Sequence, residues 1–144
     1  MIRGILFDLD GTLLDIDLES FLAEYFSALG PVLAEIGGDD ASPESSLKAV
    51  IKATKAMCSL HPDRTNREVF NEVFLHSTGV DLDAADAIRT IDEFYSATFP
   101  SLQRAHGPRQ GAREAFEAAV AAGLRPMLAT NPIFPREAIV ERLR

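Results

Sequence analysis

Two short apolar runs, separated by a long amphipathic stretch, set the plan of this chain. Ile5-Leu6-Phe7 ends abruptly in Asp8, Asp10 and Gly11, as a buried parallel strand does where its carboxyl end meets a loop. Leu124 to Ala129 repeats the pattern and ends in Thr130-Asn131-Pro132. Pro126 fits a strand start better than a strand middle, because it has no N–H for a ladder. Just upstream, residues 110–122 are alanine-rich, with Ala112, Ala115, Phe116, Ala119 and Val120 on one face and Gly123 as a helix stop. Helix, tight turn and strand in this order predict an α/β layer.

Between the strands the period changes from strand to helix. Leu18, Phe21, Leu22, Tyr25, Phe26 and Leu29 recur at i, i+3, i+4, i+7, an amphipathic helix that Gly30-Pro31 should stop. After the loop Gly37-Gly38-Asp39-Asp40, Ser42 is placed to cap a helix with Pro43 at its first position. Leu47, Val50, Ile51, Thr54 and Cys58 form its expected inner stripe. Thr65-Asn66-Arg67-Glu68 matches a capping box opening a third helix, with Val69, Phe70, Val73 and Phe74 inside. A fourth, from about Asp83 to Ala97, carries Ile88, Ile91 and Tyr95. Residues 16–98 thus read as an all-helical insertion, and 1–15 with 99–144 as an α/β core.

Charge narrows the partners. The formal net charge of −8 offers no basic field for nucleic acid or an anionic membrane surface. Lys48, Lys52 and Lys55 share one helix face, the pattern of a solvated surface rather than a binding patch. Cys58 is the only cysteine, so no intramolecular disulfide can form, and a reducing cytoplasm is the expected compartment; its place in an apolar helical pattern predicts a core position. The first residues lack the pattern of a signal peptide, and no apolar run reaches membrane-spanning length.

The chemistry concentrates at the end of the first strand. Asp8 and Asp10 can converge above a sheet edge, where α/β folds bind ligands. Side by side they repel unless a divalent cation engages one and a proton or substrate the other. An ionised Asp8 can attack phosphorus to give an aspartyl-phosphate, while Asp10 protonates the leaving oxygen and then activates water. Gly11 permits an unusual backbone turn and Thr12 can brace the loop. Magnesium, a hard ion that keeps several waters, suits such a phosphate site. Asp-x-Asp-Gly also begins calcium loops, but the EF-hand register, with a third Asp before the Gly and a Glu at position twelve, is absent.

Phe7-Asp8-Leu9-Asp10-Gly11-Thr12-Leu13-Leu14-Asp15 resembles the first motif of the haloacid dehalogenase superfamily of phosphohydrolases, and Leu128-Ala129-Thr130-Asn131 resembles the second. The helical insertion resembles the family's cap. The resemblance implies a Rossmann-like parallel sheet with an all-helical cap subdomain, Mg2+ as cofactor, and hydrolysis of a small phosphorylated metabolite. It makes Asp8 the nucleophile and a metal ligand, and Asp10 the acid/base, with its carbonyl a second metal ligand. It gives Thr130 and the Asn131 amide to the phosphoryl group, with the amides of Leu9 and Gly11 and the Thr12 hydroxyl supporting. The dehalogenases themselves do not keep the second aspartate, so a carbon–halogen substrate is not expected. A phosphomutase of the same family, or a catalytically silent binding module, is the alternative.

The family's third motif is a basic residue and its fourth an acidic group, both well downstream of the second. Here Thr130 is followed only by a short helix, 135–144, whose Arg136, Glu137, Glu141 and Arg142 read as ordinary surface pairs. The expectation is therefore a portion of a longer protein, or a chain needing a second chain to complete the sheet. Asp15 and Asp17 read as helix caps, and His61, His76 and His106 as surface residues without ligand spacing. Arg104 and Arg109, near the return from the insertion, read as exposed charges that could meet an anionic substrate.

Overall fold

The computed structural model describes residues 2–39, 41–103, 107–131 and 133–143; Arg104, His106 and Pro132 lie outside them. The chain is mixed α/β and divides into two compact units, one of residues 1–22 and 103–131, the other of 23–102 and 132–144. The first is the α/β unit. The second is helical and includes the C-terminal helix, whereas the division expected from the sequence lies at 15/16 and 98/99 and leaves that helix with the α/β core.

In the α/β unit, β1 (Gly4–Phe7) pairs in parallel with β4 (Arg125–Leu128), from Gly4 opposite Arg125 to Phe7 opposite Leu128. The Arg125 N–H donates to the Arg3 carbonyl at 3.0 Å and the Ala129 N–H to the Phe7 carbonyl at 2.8 Å. Alternation therefore turns residue 126 toward the opposite edge, where Pro126 removes no hydrogen bond from the β1–β4 ladder. The expected burial of β1 is corrected: only Phe7 is buried, and Leu6 is 65% exposed. Among the described residues this sheet has two strands, too narrow a surface to enclose its apolar side chains. The same shortage corrects the inner face of α6 (Ala112–Ala121), where Ala112 and Ala119 are buried but Ala115, Phe116 and Val120 are exposed. Gly123 closes α6 in the left-handed region (φ +73°), a conformation that costs glycine nothing. A second pair, β2 (Leu14–Asp15) antiparallel to β3 (Gly107–Pro108), joins the residues that leave for the insertion to those that return. Periodicity cannot detect two-residue strands.

The first helix, α1 (Leu18–Gly37), passes from one unit into the other at 22/23. Asp17 caps its start, accepting the N–H groups of Glu19 and Ser20 at 3.2 and 3.4 Å. The helix does not stop at Gly30-Pro31 but contains Pro31. An interior proline costs about 3 kcal/mol, and burying Leu29 and Leu33 at about 1.5–3 kcal/mol each offsets it. Gly30 serves the same packing, since a Cβ there would lie 3.2 Å from Leu47 Cδ1 and 3.3 Å from Pro43 Cβ.

Both expected caps are present. Ser42 opens α2 (Pro43–Met57) and Thr65 opens α3 (Asn66–Thr78), each as a capping box. The inner face of α2 is turned by about one residue, roughly 100°, from the stripe read in the sequence. Ser46, Ala49, Val50, Ala53 and Met57 are buried, whereas Ile51 is 55% exposed and Cys58 is exposed. Small side chains allow α2 to lie close along α3, and that fit outweighs the greater hydrophobicity of Ile51. The lysines are exposed as expected; Lys48 meets Glu44 at 2.7 Å.

The remaining helices build an aromatic core. Helix α4 (Ala85–Glu93) runs into a π-helical segment, Phe94–Thr98, and then α5 (Phe99–Gln103). The Phe99 N–H donates to the Phe94 carbonyl, and this wider turn allows Phe94, Tyr95 and Phe99 all to be buried. Tyr25 stands edge-on to Phe94, Phe99 and Phe134, and its hydroxyl lies 2.7 Å from that of Tyr95. Arg142, at the end of α7 (Arg136–Arg142), is 5% exposed with its guanidinium 5.2 Å from the centre of the Phe134 ring, correcting its reading as a surface charge. Burial lowers its pKa. No helix among the described residues is long and apolar enough to cross a membrane.

Candidate active site at the carboxyl end of β1

Parallel pairing determines what meets at this sheet edge. Because Phe7 is in register with Leu128, Asp8 and the segment Ala129-Thr130-Asn131 leave the same end of the sheet. The structure thus brings Asp8 and Thr130 to one edge, although 122 positions separate them in the chain. Asp8 is exposed and Thr130 half-buried, with Asn131 exposed after it.

The residues after Asp8 turn back on themselves. Leu9 is the anchor: its side chain is 1% exposed, and its carbonyl accepts the N–H groups of Thr12, Leu13 and Leu14 at 3.2, 3.0 and 2.9 Å. Gly11 has φ +70°, a backbone geometry that any side chain would strain. Its N–H donates to the Leu14 carbonyl at 2.9 Å, so in this structure that donor closes the turn. No backbone hydrogen bond takes the Leu9 N–H among the described residues. Asp10 is half-buried within this turn, bridged to Leu14. Thr12 is exposed; its N–H, not its hydroxyl, holds the loop.

Asp8 offers a hard carboxylate oxygen and Asp10 a backbone carbonyl, donor types found at magnesium sites completed by water and phosphate oxygens; no cluster of three or more His, Cys, Asp or Glu occurs among the described residues.

A cavity of about 320 Å³ opens beside the loop, lined by Gly11, Thr12, Arg109 and the start of α6. Neither Asp8 nor Thr130 lines it, so the candidate site rests on the strand ends and not on this cavity. Arg109 is expected from the sequence to be an exposed charge. It is exposed, but its Nη1 donates to the Gly11 carbonyl at 2.6 Å, a contact that only the fold reveals. Asp15 lies on β2 and His76 is exposed, while His61 bonds to the Ser59 carbonyl and to Asn66 Oδ1 in the helical unit. No protein-family model matches the chain, and no curated protein matches it.

Proposed function

We propose that this protein is a magnesium-dependent phosphomonoester hydrolase of the haloacid dehalogenase type, acting on a small phosphorylated metabolite through an aspartyl-phosphate. The observation that carries this reading is the parallel pairing of β1 with β4, which delivers Asp8 and Thr130 to one sheet edge. In the reaction, an Asp8 oxygen forms a bond to phosphorus as the ester oxygen departs with a proton from Asp10. Asp10 then takes a proton from water, and the water oxygen displaces Asp8 to release phosphate. The Thr130 hydroxyl and the Asn131 N–H, at the end of β4, are the donors nearest in the chain to this edge for the phosphoryl oxygens, with the Leu9 N–H in the adjoining loop. Magnesium, held by Asp8 and Asp10, supplies charge neutralisation when bound. In this reading the helical unit is the cap that governs substrate choice. Leu6, Met127 and Leu128 of the sheet are exposed, an apolar surface that a neighbour would cover.

The test is release of phosphate from p-nitrophenyl phosphate by the complete protein with Mg2+. Asp8→Asn is expected to abolish it, and Asp10→Ala to slow it by about 10²–10⁴-fold. Unchanged turnover in Asp8→Asn refutes the reading. Dependence on a bisphosphate activator with little net hydrolysis identifies a mutase instead.

A further inference from the structure

The loop that carries Asp8 and Asp10 satisfies much of its backbone internally, through the Leu9 carbonyl and the Gly11-to-Leu14 bond. Two of its other carbonyls, those of Gly11 and Leu13, are met by a single residue from the other side of the insertion. Arg109 donates Nη1 to the Gly11 carbonyl at 2.6 Å and its backbone N–H to the Leu13 carbonyl at 2.9 Å. Its own carbonyl accepts the Ala112 N–H at 3.0 Å as α6 begins, so one residue ties the loop to a helix. No carboxylate competes for the guanidinium, which makes no ion pair among the described residues. A charged donor makes a stronger bond to a carbonyl than a neutral one does. The glycine is not there to make room: a Cβ on Gly11 would sit 3.8 Å from Arg109 Nη1, an ordinary contact.

We propose that Arg109 is a positioning residue, a clamp that holds the Asp8–Gly11 loop in its turned-back shape and so sets the direction of Asp8 and Asp10. The consequence for turnover rests on the proposed phosphatase activity; the clamp itself does not. In a hydrolase, the clamp affects the orientation of the attacking carboxylate, which appears in kcat, more than substrate capture, which appears in KM.

Two measurements on the complete protein separate these points. By NMR hydrogen exchange, Arg109→Ala is expected to speed exchange of the Gly11, Leu13 and Leu14 amides about tenfold. Arg109→Lys should give an intermediate rate, and Arg113→Ala, an exposed arginine on α6, none of the effect. With Mg2+ and p-nitrophenyl phosphate, Arg109→Ala should lower kcat about ten- to a hundredfold with little change in KM, and Arg109→Lys should recover part of the loss. Unchanged exchange at these amides, or an equal rise throughout the α/β unit, overturns the clamp. Wild-type turnover that Arg109→Ala leaves intact overturns its positioning role. Local loosening in a protein whose wild type shows no Mg2+-dependent turnover supports the clamp and refutes the phosphatase reading.

Discussion

Phe99 in the helical unit is fully buried between the rings of Tyr25 and Tyr95, whereas Leu6, in the middle of β1, is 65% exposed. The same contrast runs through both units. Helices α1 to α5 and α7 enclose their aromatic residues, and all the ion pairs among the described residues decorate the helical unit. Those pairs are solvent-exposed and contribute little, so its stability comes from packing. The α/β unit has four-residue strands and exposed Leu6, Phe116, Val120, Met127 and Leu128, yet it carries every residue to which chemistry is assigned. The difference teaches that the part with the reactive groups depends most on what else covers it.

The largest expected effect tests the first half of that contrast. Phe99→Ala removes a wholly buried ring and should cost about 3–5 kcal/mol, read as a lowered midpoint in urea unfolding followed by circular dichroism. A loss near zero would mean that the aromatic cluster does not hold the helical unit together.

A smaller effect comes from the phenol pair. Tyr25→Phe deprives the buried Tyr95 hydroxyl of its partner and should cost about 1–3 kcal/mol. The chain has only two tyrosines, both in this core, so alkaline phenol absorbance reports the helical unit alone. Burial pushes the Tyr25 pKa up to about 12, against a partial lowering by the bond to Tyr95. Burial, then the neighbouring Tyr25, raise Tyr95 well above its ordinary value. Unfolded phenols ionise near pH ~10, so above that pH the unfolded state holds fewer protons and stability falls as pH rises. The phenol pair should therefore add no pH dependence below about 10 and cost the helical unit stability progressively toward pH 12. Phenol ionisation centred on pH ~10 in the folded protein would show that the pair is open to solvent.

The smallest effect belongs to the α/β unit. Leu6→Ser should change stability by no more than about 0.5 kcal/mol, because little burial is lost. A large loss that grows with protein concentration would reveal a second copy covering β1, and one independent of concentration would reveal a covering segment of the same chain.

Features written in local sequence were legible in advance. The capping boxes at Ser42 and Thr65, the stop at Gly123 and the cap at Asp17 depend on residues within a few positions of one another. So did the strand ends at Asp8 and Thr130, since an apolar run breaking into polar residues marks itself. What escaped depends on distant partners. The passage of α1 through Pro31 needed Leu33 and its burial; the turned face of α2 needed the surface of α3. Burial of Arg142 needed the Phe134 ring, and the engagement of Gly11 needed Leu14 and Arg109. The exposure of Leu6 could not be read from its hydrophobicity, which is that of a central strand. Its surroundings are not those of one.

Pro126 gives the sheet a direction of growth. On the side of β4 facing away from β1, residues 126 and 128 present their backbone groups, but only Leu128 has an N–H to donate there. A strand laid along that border would find two carbonyls and a single donor, and could zip up only toward the end that carries Thr130. The free side of β1 has no such gap: Gly4 and Leu6 alternate with the residues bonded to β4 and keep both kinds of group. The asymmetry favours β1 as the seam for extension, immediately beside Asp8, and leaves the other border a poor template for uncontrolled strand-to-strand association.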